Sequence, residues 1–160
     1  MKPTKMIFVW PAAEFSVWDV ARGYRAALAR RIGEENIRDY YLNRWASYHM
    51  KALPESQAGN IQIVSKLSSE HILAEAIYFD ATYALIVSGL NFHPIGLWLL
   101  KKLNVPAGAI FTESPYEDEN QAEWASVYPE MDIFTNERTT AKERGWTYLQ
   151  HAHDPDTHFP

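Results

Sequence analysis

The chain has 160 residues, which is enough for one domain with a full hydrophobic core and short for two. Hydrophobic residues make up 47% of the chain and aromatic residues 14%, which predicts a globular protein and excludes a disordered one. The formal net charge of -5 argues against general binding to nucleic acid or to an anionic membrane, because such binding needs clustered Lys and Arg.

Two further features bound the class of protein. There is no cysteine, which excludes disulfides, thiolate metal sites and cysteine nucleophiles. The apolar run after the charged N-terminus stops at Pro11, so it is too short for a signal peptide or a membrane span. We therefore expect a cytoplasmic protein without a membrane span.

The first predicted unit is a strand, a loop of the size that contacts ligands, and a helix. Residues 6–10 are all apolar, which is typical of a strand buried on both faces in a parallel sheet. After the loop, Ser16 with Asp19 three positions later forms a capping-box pattern that opens a helix. Apolar residues at helical spacing continue to Ile32, and Gly33 suits the position after the helix.

The next segment has the least regular pattern in the chain. Residues 37–42 are compatible with a second strand, residues 45–53 with a short helix or a loop, and residues 54–60 with a surface connection. The pattern then sharpens into a helical face around residues 72–77, followed by a strand over residues 83–87.

The strand over residues 83–87 ends in a turn that leads into another helix. Pro94 stands at the first helical position, which proline favours, and this places His93 at or near the helix N-cap. The following apolar helix is predicted to be buried and to end at Lys101 and Lys102. His93 can accept a proton from a hydroxyl group or serve as a helix cap, and the sequence leaves both roles open.

Two later apolar runs, residues 109–112 and 132–135, each stop at a polar cluster. Ligands of open α/β sheets bind outside the carboxyl ends of the strands, so Glu113 and Asn136 are candidate contacts. Glu113 can act as a base or bind sugar hydroxyls, or it can accept hydrogen bonds from nearby N–H groups. Tyr116 is a candidate stacking surface in the same cluster.

The end of the chain completes the alternation of strands and helices. Asp118 with Gln121 forms a second capping-box pattern, and residues 147–150 are predicted as the last strand. This alternation predicts a three-layer, Rossmann-like α/β domain with a mostly parallel sheet. Its predicted inner strands are residues 6–10, 84–87, 109–112 and 132–135.

Missing motifs disfavour several chemistries. Neither G-x-G-x-x-G nor a P-loop follows the first strand, which argues against a glycine-rich NAD or ATP site. The absence of G-x-S-x-G argues against an α/β-hydrolase. His151, His153 and His158 match no zinc-site spacing, so we expect a solvated linker there and no metal site.

Several loose motifs follow one another over roughly the second half of the chain. They are Ser88-Gly89 with His93-Pro94, then Glu113-Ser114-Pro115-Tyr116, then Asp132-Ile133-Phe134-Thr135-Asn136, and finally a run from Gly145 through Asp154-Pro155 to Phe159-Pro160. Their order resembles the N-terminal half of GT-B glycosyltransferases, and most of all their spore-maturation branch. The resemblance implies that residues 1–160 form the acceptor-binding domain and that the C-terminal nucleotide-sugar domain is absent from this chain.

The resemblance also implies an activity. A UDP- or GDP-sugar would be the donor substrate, a small molecule or glycan would be the hydroxyl acceptor, and no cofactor would be tightly bound. The missing domain would act in cis or in trans, so this fragment alone is expected to be inactive. The candidate catalytic residues are His93 as the base and Glu113 as its partner, or Glu113 as the base with His93 as a cap. The candidate substrate-binding residues are Glu14, Phe15, Asn91, Phe92, Ser114, Tyr116 and Asn136.

Two expectations about surfaces accompany this interpretation. Glu14, Asn91, His93, Glu113 and Tyr116 each follow a predicted strand, so they are expected to converge on one face. Phe15, Phe92 and Tyr116 are expected to be exposed there, which predicts self-association into a homo-oligomer. The alternative function is a stand-alone Rossmann- or flavodoxin-like binding module without catalysis, and a third is a phosphosugar or nucleotide hydrolase.

Overall fold

A parallel β-sheet forms the centre of the computed structural model, which describes residues 4–12 and 16–150. Within these residues the sheet has six strands, and all neighbouring strands are parallel. Their order across the sheet is β2-β1-β3-β4-β5-β6. The strands are β1 (Met6–Trp10), β2 (Ile37–Tyr41), β3 (Tyr83–Val87), β4 (Ala107–Phe111), β5 (Asp132–Thr135) and β6 (Thr147–Tyr148).

Helices connect these strands in the alternation that the sequence predicts. A short 3-10 helix (Glu34–Asn36) precedes β2. The α-helices are α1 (Ser16–Ile32), α2 (Leu42–Ala52), α3 (Glu55–Ala58), α4 (Ile61–Glu70), α5 (Ile72–Phe79), α6 (Pro94–Lys102), α7 (Asp118–Ala125) and α8 (Arg138–Arg144).

The hydrophobic core lies on both faces of the sheet. Along β1, Met6, Phe8 and Trp10 pack in one cluster with residues of α1, whereas Ile7 and Val9 pack in the other with residues of α5 and α6. Alternate side chains of a strand point to opposite faces, so burial on both sides requires a continuous apolar run. The predicted three-layer, Rossmann-like α/β fold is therefore confirmed.

The four predicted inner strands are also confirmed, because β1, β3, β4 and β5 each have a parallel neighbour on both sides. The chain continues from β1 to β2 on one side of the sheet and reaches β3 on the other. This reversal marks a switch point between β1 and β3, and in open α/β sheets ligands bind beside such points at the carboxyl ends of the strands. The loops after β3, β4 and β5 lie along that same edge.

One local prediction is wrong. Asp118 and Gln121 do not form a capping box, since the N-cap of α7 is Glu117 and no side chain caps the helix there. Asp118 Oδ2 instead accepts a 2.6 Å hydrogen bond from Thr140 Oγ1. Gln121 Nε2 donates a 2.8 Å hydrogen bond to Glu113 Oε2. Both side chains thus bond to residues of other elements and not to the helix end.

Among the described residues, no helix combines the length and the apolar character needed to cross a membrane.

Candidate functional site

The loop after β3 makes an unusually sharp turn at the carboxyl edge of the sheet. Ser88, Gly89 and Asn91 have φ angles of 71°, 75° and 66°, which lie in the left-handed region. Such angles are uncommon for residues other than glycine and cost energy that the surrounding structure must offset. Ser88 is nonetheless buried, with 3% of its surface exposed. Its neighbours therefore hold the turn in place.

Glu113 holds this turn from the end of β4. Ser88 Oγ donates a 2.5 Å hydrogen bond to Glu113 Oε1, and Gln121 Nε2 donates one of 2.8 Å to Glu113 Oε2. The backbone N–H of Thr112 also donates to Oε2, at 3.1 Å. Hydrogen bonds to a carboxylate are stronger than neutral ones. The Glu113 carboxylate thereby joins β3, β4 and α7.

His93 is the N-cap of α6. Its Nδ1 accepts a 3.1 Å hydrogen bond from the backbone N–H of Ile95, and its own backbone N–H donates to Ser69 Oγ at 2.8 Å. With Nδ1 engaged as an acceptor, the neutral ring carries its proton on Nε2. Burial lowers the pKa of His93, the positive charge of Lys66 lowers it further, and Glu70 opposes the shift. The ring is therefore a neutral hydrogen-bond donor at pH 7.

A cavity of about 240 Å³ lies beside the sharp turn, between α4, the start of α6 and α7. Three of the predicted site residues, Asn91, Phe92 and His93, line it together with Ser88. Other walls come from residues that the sequence analysis did not name as site residues. They are Gln62 and Ser65 of α4 and Asn120, Gln121 and Trp124 of α7.

The remaining predicted residues are spread along the same edge. Glu113 reaches the cavity through its hydrogen bonds to Ser88 and Gln121. Tyr116 is 91% exposed and lines a separate surface depression with residues of α8. Ser114 Oγ accepts a 2.8 Å hydrogen bond from Thr135 Oγ1, at the end of β5 and next to Asn136. Glu14 and Phe15 lie outside the described residues.

The expectation of an exposed Phe92 is wrong. Its side chain is only 2% exposed and belongs to the main core cluster. The ring packs so tightly on α6 that a Cβ added at Gly96 would lie 2.3 Å from it. Phe92 therefore forms the floor of the cavity, and Trp124 Nε1 donates a 2.6 Å hydrogen bond to its backbone oxygen.

Gln121 is the functional candidate that sequence reasoning missed. Its side chain is 2% exposed, and its Oε1 atom has no hydrogen-bond partner in the described structure. An amide flip does not cure this, because the oxygen would then face the Glu113 carboxylate. A signal was present in the sequence, since Gln121 and Trp124 are three residues apart and share one face of α7.

Neither a metal-binding cluster nor a match to a known protein indicates what this cavity binds. Within residues 4–12 and 16–150, no group of three or more His, Asp or Glu side chains could hold a metal ion. No protein-family model, no characterised protein and no solved structure gives a significant match to this chain.

Proposed function

We propose that this domain binds a small, hydroxyl-rich acceptor in the cavity beside the β3–α6 turn. We further propose that it is the acceptor-side half of a GT-B glycosyltransferase that uses a UDP- or GDP-sugar. The order of motifs along the chain supports the family, and the cavity supports the ligand class. The observation that carries the ligand class is the buried, unpartnered Oε1 of Gln121.

A hydrogen-bond acceptor that is fixed in the cavity wall favours a ligand with a hydrogen-bond donor. Glu113 holds the amide of Gln121 in one orientation through Nε2, so Oε1 can only accept. A buried polar atom without a partner costs about 1–3 kcal/mol. Gln121 lines the cavity, and a ligand O–H or N–H group that reached Oε1 after a small shift of the wall would recover that cost. Hydroxyl groups of a sugar supply such donors, and an analogue lacking the hydroxyl would be rejected.

The rest of the wall suits a small polar ligand with one apolar face. Trp124 supplies aromatic surface, whereas Asn91 and Asn120 supply amides that can both donate and accept. A few polar groups on an aromatic lining are typical of small-molecule sites. The volume of about 240 Å³ lies just below the ~300–1,000 Å³ of pockets for drug-sized ligands, so one sugar ring is a suitable occupant.

The hydrogen bonds of His93 and Ser88 also favour one route for proton transfer from the hydroxyl group of the sugar acceptor. His93 can take a proton at Nδ1 only by giving up its bond from Ile95 N–H, and its Nε2 already carries one. Ser88 lines the cavity and donates to Glu113 at 2.5 Å. The favoured assignment is therefore the second of the two sequence hypotheses. Glu113 takes the proton through the Ser88 hydroxyl, and His93 donates a hydrogen bond from Nε2.

A stand-alone binding module is the second candidate, and the strand order favours it. The order β2-β1-β3-β4-β5 is that of flavodoxin-like folds, with β6 added at the edge. Such folds bind ligands at the β1/β3 switch point without a second domain. This candidate shares the cavity and the ligand chemistry but predicts no nucleotide-sugar substrate.

Ligand-observed NMR on the purified chain tests the ligand class. Monosaccharides, their deoxy analogues and a panel of free glycans are screened, and hits are titrated by calorimetry. We expect binding of at least one hydroxylated ligand and weaker binding of the matching deoxy compound. Loss of one hydrogen bond, about 1–1.5 kcal/mol, corresponds to roughly tenfold in Kd.

Two variants test whether the ligand binds in the cavity. Gln121→Leu removes the fixed acceptor, and Asn120→Ala removes a wall amide without touching the buried network. Gln57→Leu in the exposed helix α3 is the matched control and should bind like the parent. The proposal fails if no saccharide binds, or if both cavity variants bind as tightly as the control.

A further inference from the structure

Two histidines that do not line the cavity face each other in a separate surface depression. His49 lies in the last turn of α2, and His71 lies at the junction of α4 and α5. Their Nε2 atoms are 3.1 Å apart. Twenty-two residues separate them in the sequence, so the packing of α2 against α4 creates the pair.

The separation suits two ligands of one metal ion. Histidine nitrogens bind zinc at 2.0–2.1 Å, and two such ligands at the tetrahedral angle are about 3.4 Å apart. Opening the pair by about 0.3 Å would meet that geometry. Without a metal, a shared N–H proton between the rings accounts for the observed distance. A metal ion would replace that proton.

Aromatic neighbours hold both rings in place. Trp45 stacks on His71 with ring centroids 3.9 Å apart and an interplanar angle of 9°. Tyr48 contacts His49 edge-on at 5.4 Å. Held rings lose little rotational freedom when they bind a ligand, which favours binding. Glu70 lines the same surface depression and adds a negative charge nearby.

We infer that His49 and His71 bind a divalent transition-metal ion of the zinc, nickel or copper class. Imidazole nitrogens prefer these ions, whereas magnesium and calcium prefer oxygen ligands. Two protein ligands leave the remaining positions to water, so binding is reversible and weaker than at a closed structural site. The bound ion would tie the end of α2 to the α4–α5 junction.

The test uses the full chain after treatment with a chelator, titrated with ZnCl₂ and NiCl₂ by calorimetry. The chain has six histidines, and the tail residues His151, His153 and His158 could bind metal on their own account. All three are therefore changed to Ala in the background used for titration. In that background we expect one metal ion per chain. MgCl₂ or CaCl₂ at the same concentration should not compete.

Variants within this background identify the ligands. His49→Ala and His71→Ala should each weaken zinc binding more than about tenfold, because each removes one of only two protein ligands. His93→Asn is the control and should leave zinc affinity unchanged, since asparagine can still cap α6. Equal zinc affinity in His71→Ala and the parent background would overturn the inference.

A second measurement does not depend on the variants being folded. In the unmodified chain, the ring ¹⁵N resonances of His49 and His71 should shift on addition of zinc, while those of His93 stay in place. Shifts confined to the three tail histidines would overturn the inference. Competition by magnesium at equal concentration would overturn the assigned class of metal.

Discussion

Replacing Glu113 by Gln tests whether its carboxylate holds the sharp turn at the end of β3. Three hydrogen bonds converge on this side chain, from Ser88 Oγ, Gln121 Nε2 and Thr112 N. Glutamine can keep its oxygen toward the two nitrogen donors, but its NH₂ group then faces the Ser88 hydroxyl. That hydroxyl must turn its proton away and accept instead.

The expected cost can be worked out from these contacts. A hydrogen bond to a charged group contributes about 1.5–3 kcal/mol and a neutral one about 0.5–1.5, so three such changes lose about 3–4 kcal/mol in total. Glu113 is half-buried, and the relief of its desolvation offsets part of that loss. We therefore expect Glu113→Gln to lower the free energy of unfolding by about 1–3 kcal/mol.

Urea denaturation followed by circular dichroism measures this change. For a slope of roughly 1–3 kcal/mol/M, a loss of 2 kcal/mol moves the midpoint by about 1 M. Glu123→Gln is the matched control, because Glu123 is exposed on the same helix α7 and its substitution should stay within about 0.5 kcal/mol. Equal midpoints for the two variants would refute the argument that the carboxylate holds the turn.

Three further predictions concern packing, pH and activity. Gly96→Ala should destabilise the protein by about 1–3 kcal/mol in urea denaturation, because the new Cβ would lie 2.3 Å from the buried Phe92 ring. Gly59→Ala is the control and should be neutral or slightly stabilising, because a Cβ there would have no atom within 4 Å. Equal costs at both sites would contradict the tight packing of Phe92 on Gly96. Because the pKa of His93 is lowered in the folded chain, the unfolded chain binds the proton first as the pH falls, so the free energy of unfolding should decrease below about pH 6.5. His93→Asn should show a smaller decrease between pH 7 and pH 5. Identical pH profiles of the free energy of unfolding for the two proteins would exclude this contribution. Purified residues 1–160 should transfer no sugar from UDP- or GDP-sugars at a measurable rate, and robust turnover would refute the half-enzyme proposal.

The sequence by itself determined the layers of the fold. Strands β1, β3 and β4 are buried on both faces, and this burial requires the continuous apolar runs from which they were predicted. The edge strand β2 was less readable, because Arg38 and Asp39 interrupt its apolar pattern at a position with only one neighbouring strand. A strand that is buried on both faces can therefore be predicted from its own residues alone.

Part of the candidate site was also predictable. His93 was placed at a helix N-cap from the proline that follows it, and the structure confirms that position. Glu113 was placed at the end of a strand, and in the structure it lies two residues after Phe111, the last residue of β4. Both predictions depend on neighbours in the sequence. The partner of Glu113 was not predictable in the same way, since the carboxylate bonds to Ser88 and Gln121, not to His93.

Only the tertiary structure decided which polar groups meet. The pattern of Asp118 and Gln121 suggested a capping box, but Thr140 and Glu113, brought in by other elements, offered these side chains better partners. His49 and His71 likewise share no periodicity and meet through helix packing. Hydrophobic burial is non-directional and leaves a local pattern, whereas a hydrogen bond depends on the position of one specific atom, which the assembled fold alone supplies.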